Sequence, residues 1–186
     1  MAGLRASSDR SSNPVTVTLG ELNALRAADC AEMFAACCGS SRWVSGLVAR
    51  RPFASLEELR RIGDEIWWSL DAGDWREAFA HHPRIGGTQS ASPQSERAST
   101  WSAGEQAAVT TAAAAARTEL AAINDEYEEK FGFIYIVCAA GRSANELLET
   151  ARRRLTNDRD TELRVAAEEQ RQITNLRLGK LITESE

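Results

Sequence analysis

Histidine is nearly absent from this chain of 186 residues: there are two, side by side, at His81 and His82. Imidazole chemistry near neutral pH can therefore happen in only one place. Cysteine is sparse as well, with Cys30, Cys37, Cys38 and Cys138. Adjacent Cys37 and Cys38 are poorly placed to bridge each other, and no CxxC spacing occurs. A disulfide framework and a zinc ribbon are thereby excluded, which leaves buried free thiols in a reducing cytoplasm. No apolar run reaches the ~18 residues of a membrane helix. The N-terminus lacks the apolar core of a signal peptide, and Thr183 to Glu186 match no peroxisomal address. A cytoplasmic protein without membrane contact is expected. Positive charge is not in excess either. The formal net charge is −5 and the arginines are scattered, so nucleic acid is not an expected partner. Their one run, Arg152-Arg153-Arg154, reads as a solvated helix face.

What is present is the pattern of a helical domain. The hydrophobic share is 43% and the charged share 26%, as in ordinary globular proteins. Residues 1–14 are polar and Ser-rich and read as a disordered tail, followed by one domain over 15–186. Thr18-Leu19-Gly20-Glu21 is a capping box opening a first helix that runs to about Cys38. Arg26 and Asp29 interrupt its apolar stripe and can pair with each other. Trp43, Val44, Leu47 and Val48 form a second helix, ended by Pro52. Ser55 to Glu58 cap a third, with Leu56, Leu59, Ile62, Ile66 and Leu70 on one face. Asp71 to Asp74 read as a turn, and Trp75 to His81 as a short helix limited by Pro83. Residues 84–101 read as a long polar loop. Ser102-Ala103-Gly104-Glu105 reads as a further capping box, opening a helix with Val109, Ala113, Ala116, Leu120, Ile123 and Tyr127 in line. Phe131 to Cys138 is aromatic and β-branched, hence extended. With no partner strand in the pattern, it reads as a buried connection. Ser143 to Glu146 cap a helix to about Leu155, and a last helix spans about 160–182. The expected fold is all-α: a single-domain bundle of seven or eight helices with one short extended segment near 131–138.

Several residues in this pattern could do chemistry, and each also has a plain structural reading. His82 could merely end a helix, where the macrodipole favours it. Pro83 stiffens the chain beside it, and Gly86-Gly87 permit close approach of a ligand to backbone. A metal site is not expected, because no third ligand is spaced nearby. Glu105 could bond the Ser102 amide as a capping residue. Alternatively, Ser102, Glu105 and Gln106 at a helix start could bind a small molecule rich in amide and carboxylate groups. Arg177 shares a helix face with Ala166, Gln170 and Ile173, either snorkelling or meeting an anion. Chain leaving the core between Ile136 and Gly141 offers N–H and C=O groups to a planar ligand. Trp43, Trp67, Trp68 and Trp75 fit a core. They also fit a non-catalytic interaction module, and a hydrolase of a ureido compound is a third reading.

Taken in order, these pieces resemble one family. Leu22-Asn23, Ser41-Arg42-Trp43-Val44, Arg51-Pro52-Phe53 and Phe79-Ala80-His81-His82-Pro83-Arg84-Ile85-Gly86 come first. Ser102-x-x-Glu105-Gln106, Phe131-Gly132-Phe133, Gly141-Arg142, Arg154-Leu155-x-Asn157 and the helix around Ile173 to Leu178 follow. The chain is similar over about residues 17–182 to the OHCU (2-oxo-4-hydroxy-4-carboxy-5-ureidoimidazoline) decarboxylases of urate breakdown. It departs from the family at Ile134 and Tyr135, where a proline and a phenylalanine are usual, and over residues 87–100. The resemblance implies an all-helical, cofactor-free, homodimeric carboxy-lyase that yields (S)-allantoin from a small ureidoimidazoline. It implies His82, Glu105 and Arg177 as catalytic residues. It further implies substrate contacts from Pro83, Ser102 and Gln106, and from Val137, Cys138, Ala139, Ala140 and Gly141, with no metal.

Overall fold

Ten helical segments and a two-residue parallel ladder make up the computed structural model among its described residues, 16–85, 96–110 and 114–183. The tail expected over 1–14, Gly86-Gly87 and most of the polar loop lie outside them. In order come β1 (Val17–Thr18), α1 (Leu19–Ala24), α2 (Ala27–Cys37), α3 (Ser41–Ala49), α4 (Leu56–Ser69) and α5 (Ala72–Ala80). Then follow α6 (Glu96–Glu105), α7 (Ala107–Thr110), α8 (Ala114–Phe131), α9 (Ala144–Arg154), α10 (Arg159–Leu181) and β2 (Ile182–Thr183). The all-α expectation holds. The ladder, Val17 beside Ile182 and Thr18 beside Thr183, ties the two ends of the described chain together. Two residues are too few to carry a strand periodicity, so no pattern announces it.

The helix starts follow their side chains. Thr18 with Glu21 and Ser143 with Glu146 form complete capping boxes. Ser55 accepts from the Glu58 amide, but Glu58 reaches back to Ala54 and not to Ser55. Asp71 to Asp74 is not a plain turn: Asp71 caps α5 and Asp74 completes a box with it. The first helix is not continuous to Cys38. Leu25 and Arg26 are both extended, which separates α1 from α2. Two interactions stabilise this break. The Arg51 guanidinium donates to the freed carbonyls of Leu22 and Leu25, at 3.3 and 2.7 Å. Arg26 forks onto Asp29 with two contacts of 2.7 Å. Periodicity carries across such a break because both halves bury apolar residues on the same core.

The core is organised around α10, which packs against α2, α4, α5 and α8. A helix touched from several directions buries more than one stripe. Leu163, Ala166, Ala167, Gln170, Ile173, Thr174, Arg177, Leu178 and Leu181 are all enclosed. The tryptophans sit mainly inside. The indole N–H groups of Trp43, Trp67 and Trp75 donate to the carbonyls of Gly63, Ala167 and Trp67 at 2.9–3.0 Å. Buried indoles need such acceptors. Trp68, 45% exposed, is the large apolar exception among the described residues.

The arginine run needs a correction. Arg152 and Arg153 are solvated, but Arg154 is buried. Its guanidinium bonds Glu162 Oε1, the Tyr127 hydroxyl and the Ile136 carbonyl. A buried arginine requires this kind of full pairing, which charge patterning along one helix cannot reveal.

Candidate functional site

The end of α5 delivers the two histidines to different jobs. The His81 and His82 amides continue the helical turn by donating to Ala78 and Phe79. The ring of His81 packs on Gly39, where a Cβ would lie only 2.4 Å from it, and its Nδ1 lies 2.9 Å from the Glu77 carbonyl. Gly39 is thus required by close approach, and it locks His81 against the α2–α3 junction. His82 faces the other way, into a cleft. Arg84 then pins the chain to α8 through Asp125, at 3.0 Å, and Glu128.

The second wall comes from the last turn of α6. Ser102 and Glu105 do not open a helix, as the capping-box reading had it; they close one. Ala98 and Trp101 bury one side of this helix, inside a stretch whose polar composition reads as loop. The Glu105 carboxylate has no N-cap amide to bond and turns instead to α10. Arg177 donates from Nε to Oε1 at 3.2 Å and from Nη2 to Oε2 at 2.9 Å, while Lys180 Nζ lies 3.2 Å from Oε1. Arg177 also donates to Ser102 Oγ at 2.9 Å. One carboxylate thus sits between two cations, a fork geometry that holds its plane and position.

The third wall is the extended segment after α8, bracketed by Gly132 and Gly141 with φ of +79° and +76°. Glycine serves both positions because a Cβ disfavours that backbone. Asn124 Oδ1 accepts from the Tyr135 amide at 2.8 Å, Arg154 holds the Ile136 carbonyl at 2.9 Å, and Glu169 accepts from the Cys138 amide at 2.8 Å. The Ala139 carbonyl accepts from the Arg142 amide. The segment is clamped, but its Cys138 N–H is already engaged.

Together these walls line a cleft of about 430 Å3 including its open mouth, floored by Ile173 and Leu176. His82, Pro83, Ser102, Glu105, Gln106, Val137, Cys138 and Ala139 all face it. Arg177 does not; it is 3% exposed and stands behind Glu105. Ala140 and Gly141 lie outside the lining, on the surface. Sequence reasoning missed Tyr135, Leu176, Lys180 and Glu169. Lys180 was within reach: it follows Arg177 by three residues, on the same side of a helix.

Electrostatics divide the site. His82 is half-buried as a residue, but its ring is closely surrounded. Loss of water around the ring, then the nearby positive charge of Arg177, push its pKa down to about 3, against an opposing pull from the Gln170 side chain. The imidazole is neutral at physiological pH. Burial pushes the thiols of Cys37 and Cys38 up to about 12 and about 11, and also raises that of Cys138. Thiolate chemistry is therefore disfavoured at all three.

The family model for OHCU decarboxylase matches residues 23–179. The uric acid degradation bifunctional protein TTL of Arabidopsis thaliana is 40% identical over 149 residues, covering 80% of this chain and 46% of that protein. The chain therefore spans less than half of that relative. The 2-oxo-4-hydroxy-4-carboxy-5-ureidoimidazoline decarboxylase of Amia calva is 30% identical over 134 residues, covering 71% of this chain and 75% of that one. A crystal structure of OHCU decarboxylase in the presence of (S)-allantoin aligns with a TM-score of 0.70 and 35% identity, covering 82% of this chain and 99% of that one.

Proposed function

Because the chain belongs to the OHCU decarboxylase family, we propose that it removes CO2 from 2-oxo-4-hydroxy-4-carboxy-5-ureidoimidazoline and yields (S)-allantoin. The observation that carries this reading is the convergence of a neutral, enclosed His82 and a cation-held Glu105 on one cleft, opposite the clamped Tyr135–Ala139 backbone.

The substrate has a carboxylate and a hydroxyl on one ring carbon, next to a ring C=N bond. When the carbon–carboxylate bond breaks, its electron pair moves into a new C=C bond and the former C=N pair goes to nitrogen, which takes a proton. The substrate is its own electron sink, so the reaction is proposed to need no cofactor. Loss of the hydroxyl proton and protonation of the neighbouring carbon then give the amide-type ring carbonyl of allantoin, and the face of that protonation sets the S configuration. In this scheme His82, which is neutral, accepts the hydroxyl proton. Glu105 holds the ureido N–H groups, and Arg177 acts through Glu105 by fixing its carboxylate. Pro83, Ser102, Gln106 and the backbone of 137–139 pack and orient the ring. Ala140 and Gly141 contribute through the turn that ends the segment.

No helix among the described residues is long and apolar enough to cross a membrane, and the four cysteines are free. A cytoplasmic homodimer is the assembly and place we propose, on the family resemblance and these thiols. The deciding assay supplies freshly generated urate-oxidation intermediate and follows CO2 release together with the circular dichroism of the allantoin. S-configured product formed faster than spontaneous decay is expected, with losses of ~10²-fold or more in His82→Ala and Glu105→Ala. Racemic product at the spontaneous rate, or ammonia release instead of CO2, refutes the reading.

A further inference from the structure

Gln170 is a polar side chain in the wrong surroundings for one. It is fully enclosed on α10, between apolar Ala166 and Ala167 and cleft-lining Ile173. Its amide orientation is set by its neighbour. The Thr174 hydroxyl spends its hydrogen on the Gln170 main-chain carbonyl, at 2.9 Å, so its oxygen can only accept. The Gln170 NH2 supplies that bond at 3.2 Å. The side-chain oxygen must then point the other way. It is buried there without a partner at full hydrogen-bond geometry among the described residues. What its side chain meets is the imidazole of His82. A buried amide oxygen left unpaired is costly, and leucine would fill the same space without that cost.

We propose that Gln170 is a positioning residue for the reaction: its side-chain oxygen takes the hydrogen of one His82 ring nitrogen, leaving the lone pair of the other turned to the cleft. A neutral imidazole carries one hydrogen, and the partner of one nitrogen decides the role of the other. Gln170, Ile173 and Arg177 follow one another at helical spacing. One face of α10 therefore orients both the imidazole, through Gln170, and the carboxylate, through Arg177. An amide does this without adding charge, whereas a carboxylate at the same place would favour the imidazolium and remove the base. The inference rests on the reading of His82 as the proton acceptor.

The groups around the ring that could also influence its protonation are Arg177 on α10 and adjacent His81. Glu105 on α6 and the Cys138 thiol share the cleft, Lys180 lies beyond Glu105, and Arg84 is held by Asp125 and Glu128. The test is therefore a direct view of the ring. With only two histidines, nitrogen-15 labelled protein shows each imidazole in long-range proton–nitrogen spectra, and His82→Asn identifies which is which. Wild-type His82 is expected in a single tautomer at pH 7. In Gln170→Leu the populations should mix or reverse, with kcat lower by on the order of tenfold and KM nearly unchanged. In Gln170→Glu the His82 titration should move up towards neutrality, and the acid limb of the kcat profile with it. Mixed tautomers in the wild type, or unchanged tautomers in Gln170→Leu, overturn the proposal; the wild-type spectrum decides even where a variant does not fold. These spectra need no substrate. A tautomer that shifts as expected in a protein that releases no CO2 would refute the decarboxylase reading and leave the hydrogen bond standing.

Discussion

Replacing Glu105 by glutamine should destabilise the protein by about 3–5 kcal/mol, the usual cost of stranding one member of a buried ion pair. The geometry supports this range. The Arg177 side chain is 3% exposed and that of Glu105 10%, with closest contact at 2.9 Å. At an effective dielectric of ~20, two unit charges at that distance attract by about 6 kcal/mol. Glutamine keeps the shape but not the charge, leaving Arg177 with Ser102 Oγ at 2.9 Å and a long contact to the Ala36 carbonyl at 3.5 Å. Lys180, 38% exposed, can turn to water. Arg177→Met should cost less, because Glu105 keeps Lys180 at 3.2 Å and borders the open cleft. The double variant buries neither charge and should lose less than the two singles summed, with a coupling of about 2 kcal/mol or more. In a domain of this size each kcal/mol moves Tm by about 2–4 °C, so Glu105→Gln should melt about 6–20 °C lower. Urea titrations of the four proteins at pH 7.5 measure the cycle. Additive losses, or a Glu105→Gln cost below about 1 kcal/mol, would show that the fork stabilises nothing and would remove the reason for placing Arg177 in the site.

Acid should act through His82. Its folded pKa, about 3, lies below the ordinary 6.5, so the unfolded chain takes up the proton first. The stability tied to the neutral ring is complete above pH 6.5 and is lost as pH falls towards 3. The full shift corresponds to about 5 kcal/mol, which partial solvent contact reduces to about 2–4. Denaturant midpoints of wild type and His82→Asn at pH 7.5, 5.5 and 4.5 should diverge, with the wild type falling faster; parallel curves would contradict the shift. Arg154→Met should cost about 3–5 kcal/mol by leaving Glu162, fully enclosed, without its cation, and should release the Ile136 carbonyl. A thermal melt within about 3 °C of the wild type would mean that the network is dispensable.

Short-range chemistry is what a sequence displays best, and the fold was legible where short-range rules apply. The boxes at Thr18 and Ser143 open helices because cap and third residue bond each other across a single turn. The extended connection after Phe131 follows from β-branched and aromatic residues between a long helix and a capped one. Two of the misreadings share one physical origin. The α1–α2 break depends on Arg51, which reaches carbonyls 26 and 29 residues earlier in the chain. The exposed-face reading of Arg154 fails because its partners lie on α8 and α10 and in the extended segment. In each case a guanidinium satisfies distant backbone or carboxylate groups, and no local window contains both ends.

The same limit decides what could be known of the site. His82 stood out because the chain is so poor in histidine, and Pro83 adjoins it. Glu105 stood out for a reason that does not hold. Serine three residues before glutamate imitates a helix start, but the buried pair Ala98 and Trp101 has already begun the helix upstream. The carboxylate is consequently aimed not at its own backbone but across the cleft wall at α10, where it gains a guanidinium. In the proposed reaction, that redirection is what makes Glu105 useful. A capping carboxylate would be consumed by amide N–H groups, whereas one held from behind by Arg177 keeps its position in the cleft wall. The arginine does not need to touch a ligand to matter, since removing it would free the carboxylate to rotate and would also relieve part of the pressure that keeps His82 neutral. The positive charge behind the wall therefore controls both groups in front of it.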